Sequence, residues 1–343
     1  MKVKMAQLPG KIVRRIRRDL REFGFGEFDA KYKAFGAPGN HAALKARWLM
    51  MLLFEHGVSV EDFFCYHLYE KPRREREKFV SLGRSRAIIR RMNRHCRREL
   101  VEDKALFGKA FAKYLKRRSI SSVGLRFEDF AAFYRAEGRI IVKPAFGCNG
   151  NGIYIIERGE GSAALRRHYE RISRQPYVLE TVLEQDGLLK ELNPKTLNTV
   201  RVNVLRRPGK MRVVNAILRS GQGDTVTDNI CSGGCVTEID VETGAFVSKL
   251  VDLSNHAYDR HPLTGVTLLG KTMPQWEAVK RVALEATELL PGAGYASWDI
   301  AVIKGNEIAI VEGNTYGNFN IQQVPRQRGV WPEYRAFMEE TEK

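Results

Sequence analysis

Two carboxylates and an amide near the C-terminus are spaced so that they could hold a divalent cation. Asp299 stands in the first of two alternating apolar runs, 297–303 and 308–314, and the second run carries Glu312 and Asn314. Side chains two apart on a strand project from the same face, so Glu312 and Asn314 point together while Asp299 reaches across from the partner strand. Oxygen-only ligands select hard cations such as Mg²⁺, which keeps other positions for phosphate oxygens. The pattern predicts a Mg²⁺ site for a phosphorylated ligand; an ordinary hairpin with acids at its ends is the alternative.

A second group of residues could bind phosphate directly. The apolar run 140–142 ends at Lys143, and a glycine-rich loop, 147–152, follows it. Backbone N–H groups of such a loop can close over phosphate oxygens, and a lysine adds positive charge. The same loop could instead be a simple hairpin turn, because Asn-Gly pairs favour tight turns. Neither the P-loop pattern nor the Rossmann glycine pattern occurs in the sequence, which disfavours the two commonest nucleotide-binding folds.

Short apolar segments separated by glycine-rich turns dominate the chain from about residue 119. The segments predicted as strands are 139–143, 153–156, 177–180, 200–204, 212–218 and 244–247. A helix is predicted at about 274–290, just before the hairpin that carries Asp299. Upstream, helical periodicity covers 8–24, 41–70 and 84–118. The sequence therefore predicts an α+β protein with a mainly helical N-terminal region.

The positive charge of this protein is concentrated in its first third. The chain of 343 residues has a net charge of +17; residues 1–118 hold 30 Lys and Arg against 13 Asp and Glu, and the rest holds 27 of each. Within residues 8–24, apolar positions at helical spacing alternate with arginines, which predicts a basic amphipathic helix. Such a helix could face anionic lipid or another polyanion, or it could pack on a core with its arginines solvated. The charge balance predicts an N-terminal part that meets something anionic.

The sequence shows no sign of secretion or of a membrane span. The longest apolar run, 48–54, is far shorter than the roughly 20 residues needed to cross a bilayer. No apolar stretch typical of a signal peptide follows the N-terminus, and the five cysteines form no disulfide pattern. We therefore expect a cytoplasmic protein, with peripheral contact at the inner membrane face as a further option for the basic N-terminal region.

Taken in order along the chain, these motifs resemble those of the ATP-grasp enzymes over about residues 100–325. The shared order is a strand ending in Lys-Pro, a glycine loop, a glutamate, strand arginines, and then an Asp-Glu-Asn set. A further combination of motifs is most similar to the sugar-transfer-associated ATP-grasp family, and more distantly to the α-L-glutamate ligases. These motifs are Asn198-Thr-Val-Arg201, Arg219, Asp228-Asn229 with Gly233-Gly234, and His261-Pro262.

The resemblance implies a role for each matching residue. The residues that would bind ATP are Lys104, Lys143, Gly147, Asn149, Gly150, Gly152, Glu180, Val182 and Glu184. The catalytic residues around the transferred phosphate would be Arg201, Arg219 and Asn229. The residues that would bind Mg²⁺ are Asp299, Glu312 and Asn314. Which acid contacts the ribose stays open between Glu184 and Asp186.

The resemblance also implies an ATP-grasp fold in which two α/β subdomains clamp ATP, a small one at 101–190 and a large one at 191–343, after the basic region 1–100. The implied reaction joins a carboxylate to an amine through an acyl phosphate, on a sugar, glycan-linked or amino-acid substrate. One alternative is phosphate transfer to a sugar or glycan hydroxyl, and another is a non-catalytic basic module that binds a polyanion or membrane surface. We expect an anionic small-molecule or glycan-linked substrate and no nucleic acid, because aromatic residues are not interleaved with the basic ones.

Overall fold

The computed structural model describes residues 20–146, 152–222, 228 and 233–340. Four predicted site residues lie outside this part of the chain, as does most of the predicted helix 8–24. These residues are Gly147, Asn149, Gly150 and Asn229. The chain forms two compact units, one of residues 1–91 with 318–343 and the other of residues 92–317. Every candidate site residue that the structure describes belongs to the second unit.

The first unit is helical, as the sequence predicts for the N-terminal region. Its helices in the first part of the chain are α1 (Phe28–Ala34), α2 (His41–Phe54), α3 (Val60–Cys65), α4 (Arg73–Arg76) and α5 (Leu82–Met92). The periodic stretch 41–70 is broken between α2 and α3. The break occurs because His56 and Gly57 have positive φ and Ser59 caps α3 with its side chain. Buried Phe28 and Trp48 contribute to the core of this unit.

The second unit begins with short helices and a four-stranded antiparallel sheet. The helices up to residue 192 are α6 (Glu99–Glu102), α7 (Lys104–Ala110), α8 (Ala112–Leu115), α9 (Phe127–Glu137), α10 (Ser162–Ile172) and α11 (Gly187–Leu192). The strands, in the spatial order β1-β4-β2-β3, are β1 (Ser119–Ser121), β2 (Ile140–Pro144), β3 (Tyr154–Ile156) and β4 (Tyr177–Thr181). Val142 and Leu179 face a core that includes Phe130 of α9 and Leu165 of α10. Because strand side chains alternate, Lys143 belongs to the opposite face of this sheet.

A seven-stranded antiparallel sheet forms the rest of the second unit. Its strands, in the order β11-β10-β5-β6-β7-β8-β9, are β5 (Thr199–Arg207), β6 (Lys210–Ser220), β7 (Cys235–Ile239), β8 (Leu250–Val251), β9 (Ala257–Tyr258), β10 (Tyr295–Ile303) and β11 (Glu307–Asn314). Helix α12 (Trp276–Glu288) precedes β10 and packs on β5, β6 and β10. The predicted strand 244–247 contributes only isolated bridges at Ala245 and Phe246.

The two faces of the large sheet differ in chemistry. Val200, Val202, Trp298 and Ile300 are fully buried in the core that also contains residues of α12. The residues between them point the other way and are polar, because strand neighbours alternate between faces. This second face carries Arg201 of β5 and its partner across the ladder, Asp299 of β10. The sheet thus presents a row of charged side chains opposite its hydrophobic core.

Two C-terminal helices, α13 (Asn320–Gln323) and α14 (Trp331–Glu339), belong to the first unit. Tyr334 is fully buried there, and its hydroxyl donates to Gln322 at 2.8 Å. Both sheets lie in the second unit, so the division into compact units does not occur at residue 190, where the boundary between the two subdomains is predicted. The two subdomains that clamp ATP remain a prediction. None of the helices within the described residues is long and apolar enough to cross a membrane.

Candidate active site

A buried carboxylate on β10 binds two arginines from neighbouring strands. Asp299, 3% exposed, accepts from Nε and Nη2 of Arg201 at 2.7 Å each and from Nη1 of Arg219 at 2.6 Å. Arg201 comes from β5 and Arg219 from β6, so three adjacent strands meet at this point. Burial opposes ionisation of Asp299, but the two guanidinium groups hold its pKa at about 2. Asp299 is therefore a permanent anion at ordinary pH.

The same network continues to a second buried acid. Asp228 accepts from Nη2 of Arg219 at 2.8 Å, from the backbone N–H of Thr199 at 3.0 Å, and from the Thr199 hydroxyl. Burial raises the pKa of Asp228, and the attraction of Arg219 offsets this only in part. With two arginines and two aspartates, the network is internally neutral when all four are ionised. It fixes the positions of both guanidinium groups by charge-assisted hydrogen bonds.

The β10–β11 hairpin places the three predicted metal ligands at neighbouring positions. Asp299 lies opposite Glu312, and Ser297 lies opposite Asn314. The register shifts by one residue after Asp299, with Ile300 opposite Ile310, so Val311 is an extra residue on β11. Such a bulge increases local twist and re-aims the side chains beside it. The hairpin thus brings Asp299, Glu312 and Asn314 to one end of the ladder.

Glu312 is the carboxylate of this group that stays open to solvent. It forms no salt bridge within the described part of the chain, and its side chain is exposed. Although the side chain as a whole is exposed, protein atoms packed around its carboxyl group desolvate it, and this desolvation, together with the nearby Asp299 carboxylate, raises the pKa of Glu312. Close by, the buried Nδ2 of Asn314 and Oγ of Ser297 have no hydrogen-bond partner among the residues that the structure describes. A negative charge that repels its neighbour, beside unsatisfied polar atoms, fits a site for a cation and its water shell.

The small sheet carries a second buried ion cluster, around Glu180 of β4. Glu180, 6% exposed, accepts from Nζ of Lys143 at 2.5 Å and lies 2.9 Å from Nε of Arg117. Burial opposes ionisation of Glu180, but Lys143 and Arg117 hold its pKa at about 2. Arg117 also donates to the carbonyls of Ile310 at 2.7 Å and Val311 at 3.1 Å. One arginine therefore connects β4 of the small sheet with β11 of the large sheet.

A cleft of about 750 Å³, counted out to its open mouth, adjoins this cluster. Its lining includes the predicted nucleotide residues Lys143, Glu180, Val182 and Glu184. Apolar side chains contribute one part of the wall, at Leu183, Leu197 and Val311. Cationic side chains contribute another, at Arg117, Arg139, Lys143, Lys190 and Lys195. A cleft with an apolar part and several cations suits a ligand with a flat apolar ring and a chain of negative charge.

The structure also describes the candidates Lys104, Gly152, Glu184 and Asp186, of which Glu184 lines this cleft. Lys104 opens α7, and its Nζ donates to the carbonyl of Ala145, just after β2, at 3.4 Å. Gly152 has φ of 75°, and an added Cβ would lie 3.1 Å from Cγ of Pro144. Of the two acids left open for the ribose, Glu184 lines the cleft, whereas Asp186 accepts from the backbone N–H of Gly305 at 3.2 Å.

Two features of the site have no clear signal in the sequence. Arg117 is one of several cations in a basic stretch, and nothing in its spacing marks it as the buried residue. The sequence assigned Asp299 to metal and Arg201 with Arg219 to phosphate, but the structure pairs these three residues with each other. Arg201 and Asp299 both interrupt apolar runs, which indicates that each lies on the polar face of a strand. The sequence does not indicate that these two strands are neighbours, and without that information the pairing could not be predicted.

No curated protein matches the chain. Among solved structures, the chain is similar to the ATP-grasp ligase PsnB complexed with minimal precursor, Mg and ADP, at 16% identity and a TM-score of 0.43, over 70% of this chain and 58% of that one. It is also similar to N5-carboxyaminoimidazole synthase from Aspergillus clavatus, with 10% identity, a TM-score of 0.41 and coverage of 63% and 44%. A third is D-alanine–D-alanine ligase from Bacillus anthracis, with 14% identity, a TM-score of 0.40 and coverage of 70% and 61%.

The chain spans less than two thirds of the length of each of these three structures. A family profile described as sugar-transfer associated ATP-grasp matches residues 83–339, which is most of the chain. This match confirms the predicted ATP-grasp family. The helices and antiparallel sheets of the described residues agree with the predicted α+β fold and its helical N-terminal region. The chain belongs to the sugar-transfer-associated ATP-grasp family.

Proposed function

We propose that this protein is an ATP- and Mg²⁺-dependent carboxylate–amine ligase that forms an amide bond through an acyl phosphate. The observation that carries the proposal is the juxtaposition of a fixed pair of guanidinium groups, on Arg201 and Arg219, with the open carboxylate Glu312. Phosphoryl transfer requires positive charge around the moving phosphate and a cation on the nucleotide. In this proposal Arg201 and Arg219 supply the positive charge, and Glu312 with its neighbours on the hairpin would hold the cation.

In this proposal the nucleotide occupies the cleft beside Glu180. The apolar wall at Leu183, Leu197 and Val311 would accommodate the adenine, and Lys143, which lines the same cleft, would bind the phosphates. The ion pair with Glu180 holds the ammonium group of Lys143 in place before the ligand arrives. Pre-positioned charge lowers the reorganisation that catalysis would otherwise require. Glu184 is the proposed partner of the ribose hydroxyls.

Mg²⁺ would be held by Glu312, Asn314 and Asp299, whose donor atoms are all oxygens. Bound there, the cation would neutralise phosphate charge and polarise the phosphoryl group. Glu312 has the carboxylate best placed for this role, because both oxygens of Asp299 already accept from arginines. The raised pKa of Glu312 fits a group whose negative charge is incompletely balanced by the protein.

The reaction would proceed in two displacements. A substrate carboxylate oxygen attacks the γ-phosphorus of ATP, the bond to the β-phosphate oxygen breaks, and ADP leaves with that electron pair. An amine then attacks the acyl carbon, loses a proton, and expels inorganic phosphate as the amide forms. Arg201 and Arg219 would stabilise the negative charge on the phosphoryl oxygens with guanidinium N–H groups other than those that donate to Asp299 and Asp228, and the two aspartates hold both groups in position.

The substrate is proposed to be an anionic sugar, a glycan-linked acid or an amino acid. The description of the family as sugar-transfer associated supports the sugar link. The positive charge of residues 1–118 supports an anionic partner, with peripheral contact at the inner membrane face as part of the same proposal. A cytoplasmic location, where ATP is available, is part of the same proposal.

The nucleotide and metal site is tested by thermal unfolding with Mg-ATP. We expect Mg-ATP to raise the melting temperature of the wild type, by the linkage of binding to folding, and Glu312→Gln to abolish the increase. Glu307→Gln is the matched control, because Glu307 starts the same strand and pairs with Lys116 at 3.5 Å on the exposed surface. Equal stabilisation of all three proteins would contradict the proposed site.

The reaction class is tested by trapping. With ATP, Mg²⁺ and a panel of uronic acids, amino sugars and amino acids, a ligase should give ADP and a hydroxamate when hydroxylamine is present. A phosphorylated hydroxyl with no hydroxamate would assign phosphate transfer instead. ATP turnover that gives neither product with any acid would refute the amide-forming reaction while leaving the nucleotide site in place.

A further inference from the structure

Helix α2 of the first unit exposes a large apolar ridge. Met50 is 58% exposed, and Leu53 and Phe54 are each 70% exposed. Their spacing of three and four residues places them on one face of the helix. Leu44, Trp48 and Met51 are buried on the other side, so the helix is already anchored in its own core. The three exposed side chains are therefore not needed to anchor the helix in the core. Apolar side chains exposed next to each other mark an interaction surface.

Positive charge lies beside this ridge. Helix α2 has no acidic residue; it carries Lys45 and the exposed Arg47, whose guanidinium donates to the carbonyl of Lys71 at 3.5 Å. Residues 71–78 hold five Lys and Arg against two Glu. Three of these cations pair with acids, Arg73 with Glu77, Lys78 with Glu75 and Arg76 with Glu55, and Lys45 pairs with Asp29. The excess positive charge on this side therefore rests on Arg47, Lys71 and Arg74. Phe54 also lines a common pocket with Arg73 and Arg76 of that segment. The apolar ridge therefore has a basic rim on the side of residues 71–78.

Charge decides between the possible occupants of the ridge. A second copy of the chain would bring the same basic rim against this one, and like charges repel at an interface. Residues 1–19 hold seven Lys and Arg against one Asp, so the same repulsion applies to them. An anionic lipid surface complements both features, because apolar side chains enter the boundary of the acyl chains while cations remain at the phosphate level. We propose that the ridge Met50, Leu53 and Phe54, with its basic rim, docks this protein on an anionic membrane surface.

This assignment does not depend on the proposed ligase reaction, because it lies in the first unit and uses none of the nucleotide or metal residues. It is tested by sedimentation of the full-length protein with vesicles of phosphatidylcholine containing phosphatidylglycerol. The wild type should bind these vesicles, bind pure phosphatidylcholine much less, and lose binding as salt is raised. Leu53→Ser with Phe54→Ser should lower the partition coefficient about tenfold or more, because two apolar anchors are removed.

Matched controls separate docking from general surface polarity. Leu263 and Leu269 are 46% and 50% exposed in the second unit, so Leu263→Ser with Leu269→Ser also removes exposed apolar surface, although less of it, and should leave vesicle binding unchanged. Arg47→Glu should weaken binding to the anionic vesicles and reduce its salt dependence. The Mg-ATP melting shift of each variant should equal that of the wild type, which keeps this test distinct from the nucleotide site.

Three results would overturn the assignment. The first is a wild type that fails to bind the anionic vesicles. The second is a double variant at Leu53 and Phe54 that binds as well as the wild type. The third is a wild type that light scattering shows to be a dimer, with the double variant monomeric, because a second copy would then be the occupant of the ridge.

Discussion

Replacing Asp299 by asparagine removes one negative charge from the point where two buried guanidinium groups converge. Three charge-assisted hydrogen bonds of 2.6 to 2.7 Å end on this carboxylate. Asparagine keeps the shape of the side chain, but it has one acceptor oxygen and would turn an amide N–H group toward guanidinium donors. Arg201 would lose its ion-pair partner, and Arg219 would keep Asp228.

We expect Asp299→Asn to lower the free energy of unfolding by about 3–5 kcal/mol, the usual cost of leaving a buried charge unpaired. A second approach gives a similar magnitude. The pKa of Asp299 is held at about 2 instead of 3.8, and that difference corresponds to roughly 2–3 kcal/mol. Because the pKa is lowered on folding, this stabilisation is fully present above about pH 4 and is lost as the pH falls toward 2.

The assay is urea denaturation of wild type and variant, followed by tryptophan fluorescence and circular dichroism at pH 7 and at pH 3. The difference between the two proteins should be largest at pH 7 and should shrink at pH 3. Asp259→Asn is the control, since Asp259 forms an exposed pair with Lys249, and such pairs contribute about 0–1 kcal/mol. A loss below about 1 kcal/mol for Asp299→Asn, or a difference that grows on acidification, would refute the reasoning.

Two further predictions concern the residues that support the site. Arg117→Met leaves Lys143 as the counter-ion of Glu180 and removes the group that donates to two strand carbonyls. We therefore expect the free energy of unfolding to fall by about 2–4 kcal/mol and Mg-ATP binding, measured by calorimetry, to weaken about tenfold. An unchanged affinity would show that Arg117 does not support the nucleotide site. Gly313→Ala would place a Cβ 2.6 Å from the ring of Trp298 and should cost about 1–3 kcal/mol in urea denaturation. Gly26→Ala, with nothing within 4 Å of the added Cβ, should cost much less, and equal losses would argue against the clash.

Local sequence patterns were sufficient for most of the strands that carry the site. Alternation of apolar and polar residues predicted β5, β6, β10 and β11 to within a few residues at each end, because period-two burial is a property of neighbouring residues. The pattern was less reliable where burial did not alternate. The predicted strand 244–247 has only isolated bridges, and the periodic stretch 41–70 is interrupted by the positive φ of His56 and Gly57.

The ion pairs of the site depend on contacts between distant parts of the chain. Arg201 and Arg219 meet Asp299 across 98 and 80 positions, and Arg117 meets the carbonyl of Ile310 across 193. No local pattern encodes these distances, because they follow from the order of strands in the sheet. The bulge at Val311, which sets the register of Asp299 against Glu312, is likewise a result of strand pairing.

The sequence by itself was enough to predict the fold class and to identify the family. Residue types and strand periodicity are local properties, and they predicted an α+β protein with a basic helical N-terminal region; the order of motifs along the chain resembled that of the ATP-grasp family. Tertiary structure decided which charges neutralise each other, that Glu312 is the carboxylate left open, and that Arg117 supports Glu180. Those outcomes depend on burial and on strand neighbours, since an ion pair forms only where packing brings two charged groups together and removes them from water.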